Sequence, residues 1–160
     1  MRIGFGYDMH RFGPGRSVRI GGVAIPHDRG VLAHSDGDVL LHALMDAILG
    51  AAALGDIGAH FPPDDARYAG ADSRALLREV VRLAAAQGFA VGNCDLTLVA
   101  EAPRIGPHRA AIVANVASDL GVGPGQVSVK ATTAEGLGAI GRGEGLAGQA
   151  VVLLVARPHG

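Results

Sequence analysis

A chain of 160 residues with 14 Lys and Arg against 15 Asp and Glu, a net charge of −1, has no basic footprint for nucleic acid and no polybasic face for a membrane. Its longest nearly apolar run, LAGQAVVLLVA, falls short of the roughly 20 residues a bilayer span needs, and its opening MRIGFGYD lacks signal-peptide or transit-peptide character. A lone cysteine, Cys94, excludes an intrachain disulfide, so the chain reads as one cytoplasmic domain over residues 1–160 with a single core burying roughly two-thirds of its unfolded surface.

Residues 2–8 predict a strand, and SVRIGGVAIP predicts two short extended pieces turning at Gly21 and Gly22. Apolar residues at helical spacing in DVLLHALMDAILGAAAL predict a helix capped by Asp36 or Asp38 and closed by Gly55. ADSRALLREVVRLAAAQG repeats the pattern: Asp72 or Ser73 caps, Leu76, Leu77, Val80 and Leu83 form the stripe, and Gly88 ends it. FAVGNCDLTLVA alternates as a strand, with Cys94 on the buried face of Leu96 and Leu98. PHRAAIVANVASDLG reads as a helix with Pro107 near its first turn, and QVSVKAT and GLAGQAVVLLVA as strands. The order is that of an α+β chain. Its connections HSDGD, GDIGAHFPPDD and TTAEGLGAIGRGEG are where function is expected. Ala-rich helices and few aromatics predict close packing, partner subunits included.

The first strand ends on Asp8 and His10, which share a face while Met9 turns away. His42 lies mid-helix, one turn after Asp38 and one before Asp46, so either acid can orient its ring. Two imidazoles and a carboxylate suit zinc, and three protein ligands leave the fourth position open, as at a catalytic site. In AHSDGD, His34 and Ser35 stand just before a helix N-terminus, where an anion such as phosphate is favoured; a plain capping turn is the alternative. In KATTAEGLGAIGRGEG, Lys130, Thr132 and Thr133 follow a strand, with Glu135 close behind. There is no Walker loop, no GxGxxG after the first strand and no G-x-S-x-G elbow. Together these groups point to metal-assisted chemistry on a phosphorylated substrate.

The segments GYDMHRF, IPHDRGVLAHSDGDVLLHALMDAILGAAALGDIGAHFPPDD, GADSRALLREV, EAPRIGPH and VKATTAEGLGAIGRGEGLAGQAV resemble, in order, the signatures of the 2-C-methyl-D-erythritol 2,4-cyclodiphosphate synthase family of the non-mevalonate isoprenoid pathway. The resemblance implies a ferredoxin-like mixed sheet with helices on one face, assembled as a homotrimer with active sites between subunits. It implies a phosphorus–oxygen lyase, in which the 2-phosphate of 4-diphosphocytidyl-2-C-methyl-D-erythritol 2-phosphate attacks the β-phosphorus and releases CMP. Asp8, His10 and His42 match the zinc ligands. His34 and Thr133 match positions that stabilise the transition state, and Glu135 the carboxylate that holds a second divalent ion, magnesium or manganese. Ser35, Asp56, Ile57, Gly58 and Phe61 fall where the methylerythritol phosphate is gripped, together with Asp8 and His10. Ala100, Pro103, Arg104, Ile105 and Gly106, with Ala131 and Thr132, fall where the cytidine is held, and Arg142 is carried over as a further substrate contact.

Three positions depart from the family pattern. Pro63 stands where an acid is common, which leaves Asp64 or Asp65 to substitute for it; Ala134 replaces a polar residue; and Ala139 replaces an aromatic that lines a cavity on the threefold axis. The last change predicts weak or absent prenyl-diphosphate binding. A zinc-dependent phosphohydrolase using the same ligands and a trimeric nucleotide-binding protein without turnover are the rival readings. The first lacks a dedicated base for water, and only Pro63 favours the second.

Overall fold

The computed structural model describes residues 1–157; the last three positions of the expected domain lie outside the described residues. A long β1 (Arg2–Gly13) leads into the hairpin β2 (Ser17–Ile20) and β3 (Val23–Pro26), then the short β4 (Gly30–Val31). Helices α1 (Val39–Ala52), α2 (Ile57–His60) and α3 (Ser73–Ala86) follow, then β5 (Phe89–Val99), α4 (Arg109–Leu120), β6 (Val127–Thr132), α5 (Gly138–Gly141) and β7 (Gly145–Ala156). Five strands form one sheet in the order β4-β1-β7-β5-β6, with β2 and β3 apart. The β5–β6 ladder is parallel and the others are antiparallel. No helix among the described residues is long and apolar enough to cross a membrane.

The mixed α+β sheet is as expected, but the succession is not ferredoxin-like. A ferredoxin-like chain runs β-α-β-β-α-β; here the principal elements run β-α-β-α-β-β. The reason is α4, which returns the chain to start β6 alongside β5 as a parallel crossover. The antiparallel partner β7 comes last and slots between β1 and β5. β1 also runs five residues past the predicted end, because Met9, His10 and Arg11 pair with β7, and Phe12 and Gly13 with β4. Asp8 and His10 are therefore held inside a strand, paired with Gly148 and Leu146 of β7.

The helix α1 is apolar nearly all round and buried on every side except at Asp46 and Gly50. It lies so close to the sheet that glycine is required beneath it. A Cβ on Gly4 would sit 1.8 Å from the Ala47 carbonyl oxygen, one on Gly6 1.9 Å from that of Ala43, and one on Gly148 2.5 Å from that of Val39. These glycines and the ligands Asp8 and His10 alternate onto one face, so the strand that admits the helix also presents the carboxylate and imidazole beside it. Asp38 caps α1 and is fully buried, accepting from Leu41 N at 3.2 Å, Gly21 N at 2.9 Å and Gly22 N at 2.6 Å. Burial pushes its carboxyl up, against the pull of those three N–H groups. Gly21 and Gly22 both have positive φ, 58° and 76°, as a two-residue hairpin turn demands. The helix ends at Ala53, itself left-handed at φ 59°, two residues before the expected Gly55.

Among the described residues, no helix covers the opposite face of the sheet along β1 and β7. Ile3 and Phe5 are 75% and 63% exposed, and Tyr7, Met9 and Val151 continue the apolar stripe. Cys94 is buried in the core, and burial pushes its thiol up to about 12. Native protein at pH 8 is expected to resist a thiol reagent that labels it fully in urea; rapid labelling before unfolding would contradict this packing.

Candidate active site

Three donor atoms meet where α1 crosses β1. Asp8 Oδ2 lies 2.9 Å from His42 Nδ1 and 3.0 Å from His10 Nε2, and the two ring nitrogens are 3.0 Å apart. Among the described residues this is the one cluster of His, Cys, Asp or Glu donors gathered so closely. A tetrahedral zinc with bonds of 2.0–2.1 Å holds its ligand atoms about 3.3 Å apart. The triad meets that spacing with a small expansion and leaves the fourth position open, so the residues present fit the metal.

The acids flanking His42 on its own helix do not orient it. Asp38 is committed to the helix cap and the hairpin turn, and Asp46 accepts from Ile57 N at 2.8 Å. His42 is instead met on its far side by residues from two other segments: its Nε2 lies 3.0 Å from Ser35 Oγ and 3.0 Å from Ser73 Oγ. Ser73, read from sequence as a possible helix cap, is fully buried and donates its hydroxyl to Asp36 Oδ1. Asp36 also accepts from Ser73 N at 3.1 Å, while Asp72 caps α3. Sequence reasoning missed this pairing, because its two members are 37 positions apart and meet only once α3 has docked.

In the metal-free protein the Asp8 carboxylate lies between the two imidazoles. Burial disfavours a charged Asp8, but hydrogen bonds from His10 and His42 outweigh it and hold the carboxyl well below its ordinary 3.8. Burial also disfavours a charged His42, and Asp8 outweighs it, raising the imidazole above its ordinary 6.5. The Asp8 contribution to stability is present above 3.8 and lost as the pH falls through its depressed folded value. The His42 contribution is present below 6.5 and lost as the pH rises through its raised folded value. Chelated protein is therefore expected to lose thermal stability as the pH climbs above 6.5, whereas zinc, which competes with the proton, removes that loss. Parallel melting profiles with and without zinc would contradict it.

A cleft of about 250 Å³ opens beside the triad. Asp8, His10, His34, Ser35 and His42 form its polar wall, and Ile57, Gly58, Phe61, Pro63 and Leu76 its apolar wall. Leu76 thus faces the cleft, while Leu77, Val80 and Ala84 carry the core side of α3. Asp46 positions the apolar wall through its bond to Ile57, and Asp56 caps α2 through Ala59 N at 2.9 Å. Neither acid expected to stand in for Pro63 is among the residues lining this cleft. Asp64 is exposed and outside the cleft lining, and Asp65 is taken by Arg67, whose Nη2 approaches within 2.6 Å.

A second cleft, of about 550 Å³, gathers Ala100, Pro103, Arg104, Ile105, Gly106, Ala131, Thr132 and Thr133. Glu101, within the turn expected to hold cytidine, accepts from Ala134 N at 2.8 Å and ties its two loops together. Thr133 Oγ1 donates to Glu135 Oε1 at 3.2 Å and accepts from Glu135 N at 3.3 Å. Glu135 is exposed and left-handed at φ 52°, a conformation costing a non-glycine residue about 1–2 kcal/mol. Lys130 turns away to pair with Asp95, and Arg142 donates to Glu144 Oε1 at 2.7 Å, so neither lines either cleft. The two clefts share no lining residue, and β7 stands between the strands that bear them. Within one copy, the candidate residues form two groups that do not meet.

The description "YgbB family" belongs to a family model that matches residues 1–155. A 2-C-methyl-D-erythritol 2,4-cyclodiphosphate synthase from Pseudomonas aeruginosa (strain UCBPP-PA14) is 62% identical over 157 residues, covering 98% of this chain and 100% of that relative. The bifunctional IspDF from Campylobacter jejuni superposes with a TM-score of 0.93 at 42% identity over 97% of this chain, which spans 42% of that longer protein. A 2C-methyl-D-erythritol-2,4-cyclodiphosphate synthase in its CDP-bound form gives a TM-score of 0.88 at 42% identity, covering 96% of this chain and 100% of the other. Matched from end to end by sequence and by fold, the chain belongs to the YgbB family, that of the 2-C-methyl-D-erythritol 2,4-cyclodiphosphate synthases.

Proposed function

We propose that the protein is a metal-dependent cyclodiphosphate synthase, converting 4-diphosphocytidyl-2-C-methyl-D-erythritol 2-phosphate to the 2,4-cyclodiphosphate with release of CMP. The observation that carries this reading is the convergence of Asp8, His10 and His42 on the wall of a cleft that also bears His34 and Ser35. A zinc ion on the triad would supply Lewis-acid charge neutralisation to a diphosphate, and Glu135 would hold a second divalent ion, magnesium or manganese. His34 and Thr133 donate to phosphoryl oxygens where charge develops. Ser35 and the Asp56–Gly58 turn hold the methylerythritol phosphate against Phe61. Backbone groups of the Ala100–Gly106 turn, with Ala131 and Thr132, hold cytidine. A relative solved in its CDP-bound form supports a cytidine nucleotide as the ligand. Because nucleophile and electrophile belong to one molecule, no covalent enzyme intermediate is needed, and orientation alone can supply roughly 7 kcal/mol of the acceleration.

The proposed assembly is a homotrimer of single-domain chains in the cytoplasm, with each site shared between neighbours. Two features support it: the exposed apolar stripe of Ile3, Phe5, Tyr7, Met9 and Val151, of the kind that marks an interface, and the division of the candidate residues between clefts that do not meet in one copy. Purified protein with zinc and magnesium is expected to release one CMP per substrate consumed, and chelation to stop it. CMP release that continues unchanged in the chelated protein would overturn the metal-dependent reading.

A further inference from the structure

The polar contacts behind His42 form a chain with a fixed direction. The Asp36 carboxylate can only accept, and it takes Ser73 N and Ser73 Oγ. Ser73 is fully buried, so its hydroxyl proton has no water to turn to and is committed to Asp36. Its lone pairs then face His42 Nε2 at 3.0 Å, and a contact of that length between two heteroatoms requires a proton between them. That proton sits on Nε2. His42 Nδ1, 2.9 Å from Asp8 Oδ2 and 3.0 Å from His10 Nε2, donates to Asp8 in the metal-free protein and would give up that proton to a metal on the triad, leaving Nε2–H as the one proton of the ring. We infer that Asp36 and Ser73 are positioning residues that hold the His42 proton on Nε2 and so keep Nδ1 available as a metal ligand. Ser35, whose Oγ accepts from Gly37 N at 3.3 Å and also lies 3.0 Å from Nε2, directs its own proton into the cleft as a result.

The direction of the chain can be reversed without changing its shape. In Asp36→Asn the amide has one oxygen to place. The Oδ2 position faces Ser73 N at 3.1 Å and Arg19 Nε at 3.6 Å, both donors, so the oxygen belongs there. The amide NH2 then takes the Oδ1 position, gives up the long 3.3 Å bond from Asp38 N, and donates to Ser73 Oγ. Ser73 turns its proton onto His42 Nε2, and the ring is driven to the Nδ1–H tautomer, which cannot bind the metal through Nδ1. Ser73→Ala removes the chain without reversing it.

This inference rests on the metal reading of the triad and not on the reaction, so its test needs no substrate. Zinc affinity is measured by competition with a chromophoric chelator, with Ser73→Thr as the conservative rescue. Ser73→Ala is expected to weaken zinc roughly 10- to 100-fold, the range seen when a partner behind a metal-bound histidine is lost. Asp36→Asn is expected to weaken it at least as much. Ser73→Thr, which keeps the hydroxyl, is expected to stay within a few-fold of the parent. Asp36→Asn that keeps parental zinc affinity would overturn the inference. Should the parent itself hold no zinc, the metal reading beneath it fails as well; normal affinities throughout, with cyclisation intact, would overturn the relay alone.

Discussion

Replacing His42 by alanine is expected to abolish zinc retention and to lower turnover by roughly 10³-fold or more, the equivalent of about 4 kcal/mol of lost transition-state stabilisation. The fold is expected to survive. The helix α1 is anchored along its length by Leu40, Leu41, Leu44, Ile48 and Leu49, all fully buried, and the shortened side chain opens toward the cleft, where water can reach the two serine hydroxyls. Asp8 and His10 alone offer two donors, too few to hold zinc against solvent. The same variant tests the shared site. Mixed with Glu135→Gln, inactive for a different reason, it is expected to regain activity, because some assemblies then combine an intact triad from one copy with an intact Glu135 from its neighbour. A mixture as inactive as its parts would contradict sharing, and His42→Ala with parental zinc content would contradict the ligand set.

Gly6→Ala should destabilise the protein by about 3 kcal/mol, near the upper end for forcing one extra methyl into a packed core. The added Cβ would stand 1.9 Å from the Ala43 carbonyl oxygen, backbone that cannot swing aside as a side chain would. The helix must therefore lift, and since His42 precedes Ala43, lifting it separates the triad and weakens zinc binding as well. The check is a fall in the urea midpoint at unchanged slope. Gly50→Ala is the control with the opposite sign. Gly50 is an exposed helical position with no atom within 4 Å of an added Cβ, and alanine there should stabilise by about 0.5–1 kcal/mol. A neutral Gly6→Ala would mean that the close approach of α1 to β1 is not what positions the site.

Much of this geometry was legible in the sequence, because it follows from local periods. Strand alternation puts Asp8 and His10 on one face, and helical spacing puts His42 on the side of α1 that packs on the sheet. The same reasoning shows which residues share a face but not what that face meets. Asp38 and Asp46 flank His42, yet one is drawn to the hairpin turn and the other to α2. The residues that do reach the ring, Ser35 and Ser73, come from a loop and from the start of another helix. Asp65 was a fair substitute for Pro63 by position, but Arg67 two residues on offers it a closer partner than the cleft does. The strand order also depended on pairing at a distance: nothing local to β7 says that it will insert between β1 and β5 and leave β5 and β6 parallel with one another. The split of the candidate residues into two clefts follows from that order.

Intramolecular cyclisation is tested most directly by phosphorus NMR of 4-diphosphocytidyl-2-C-methyl-D-erythritol 2-phosphate incubated with the protein, zinc and magnesium, beside a chelated control. Two mutually coupled cyclic diphosphate resonances growing together with CMP, in the metal-loaded sample alone, are the predicted result. Linear phosphate products would contradict cyclisation and assign the same triad to hydrolysis, and substrate that binds but stays unchanged would contradict catalysis altogether.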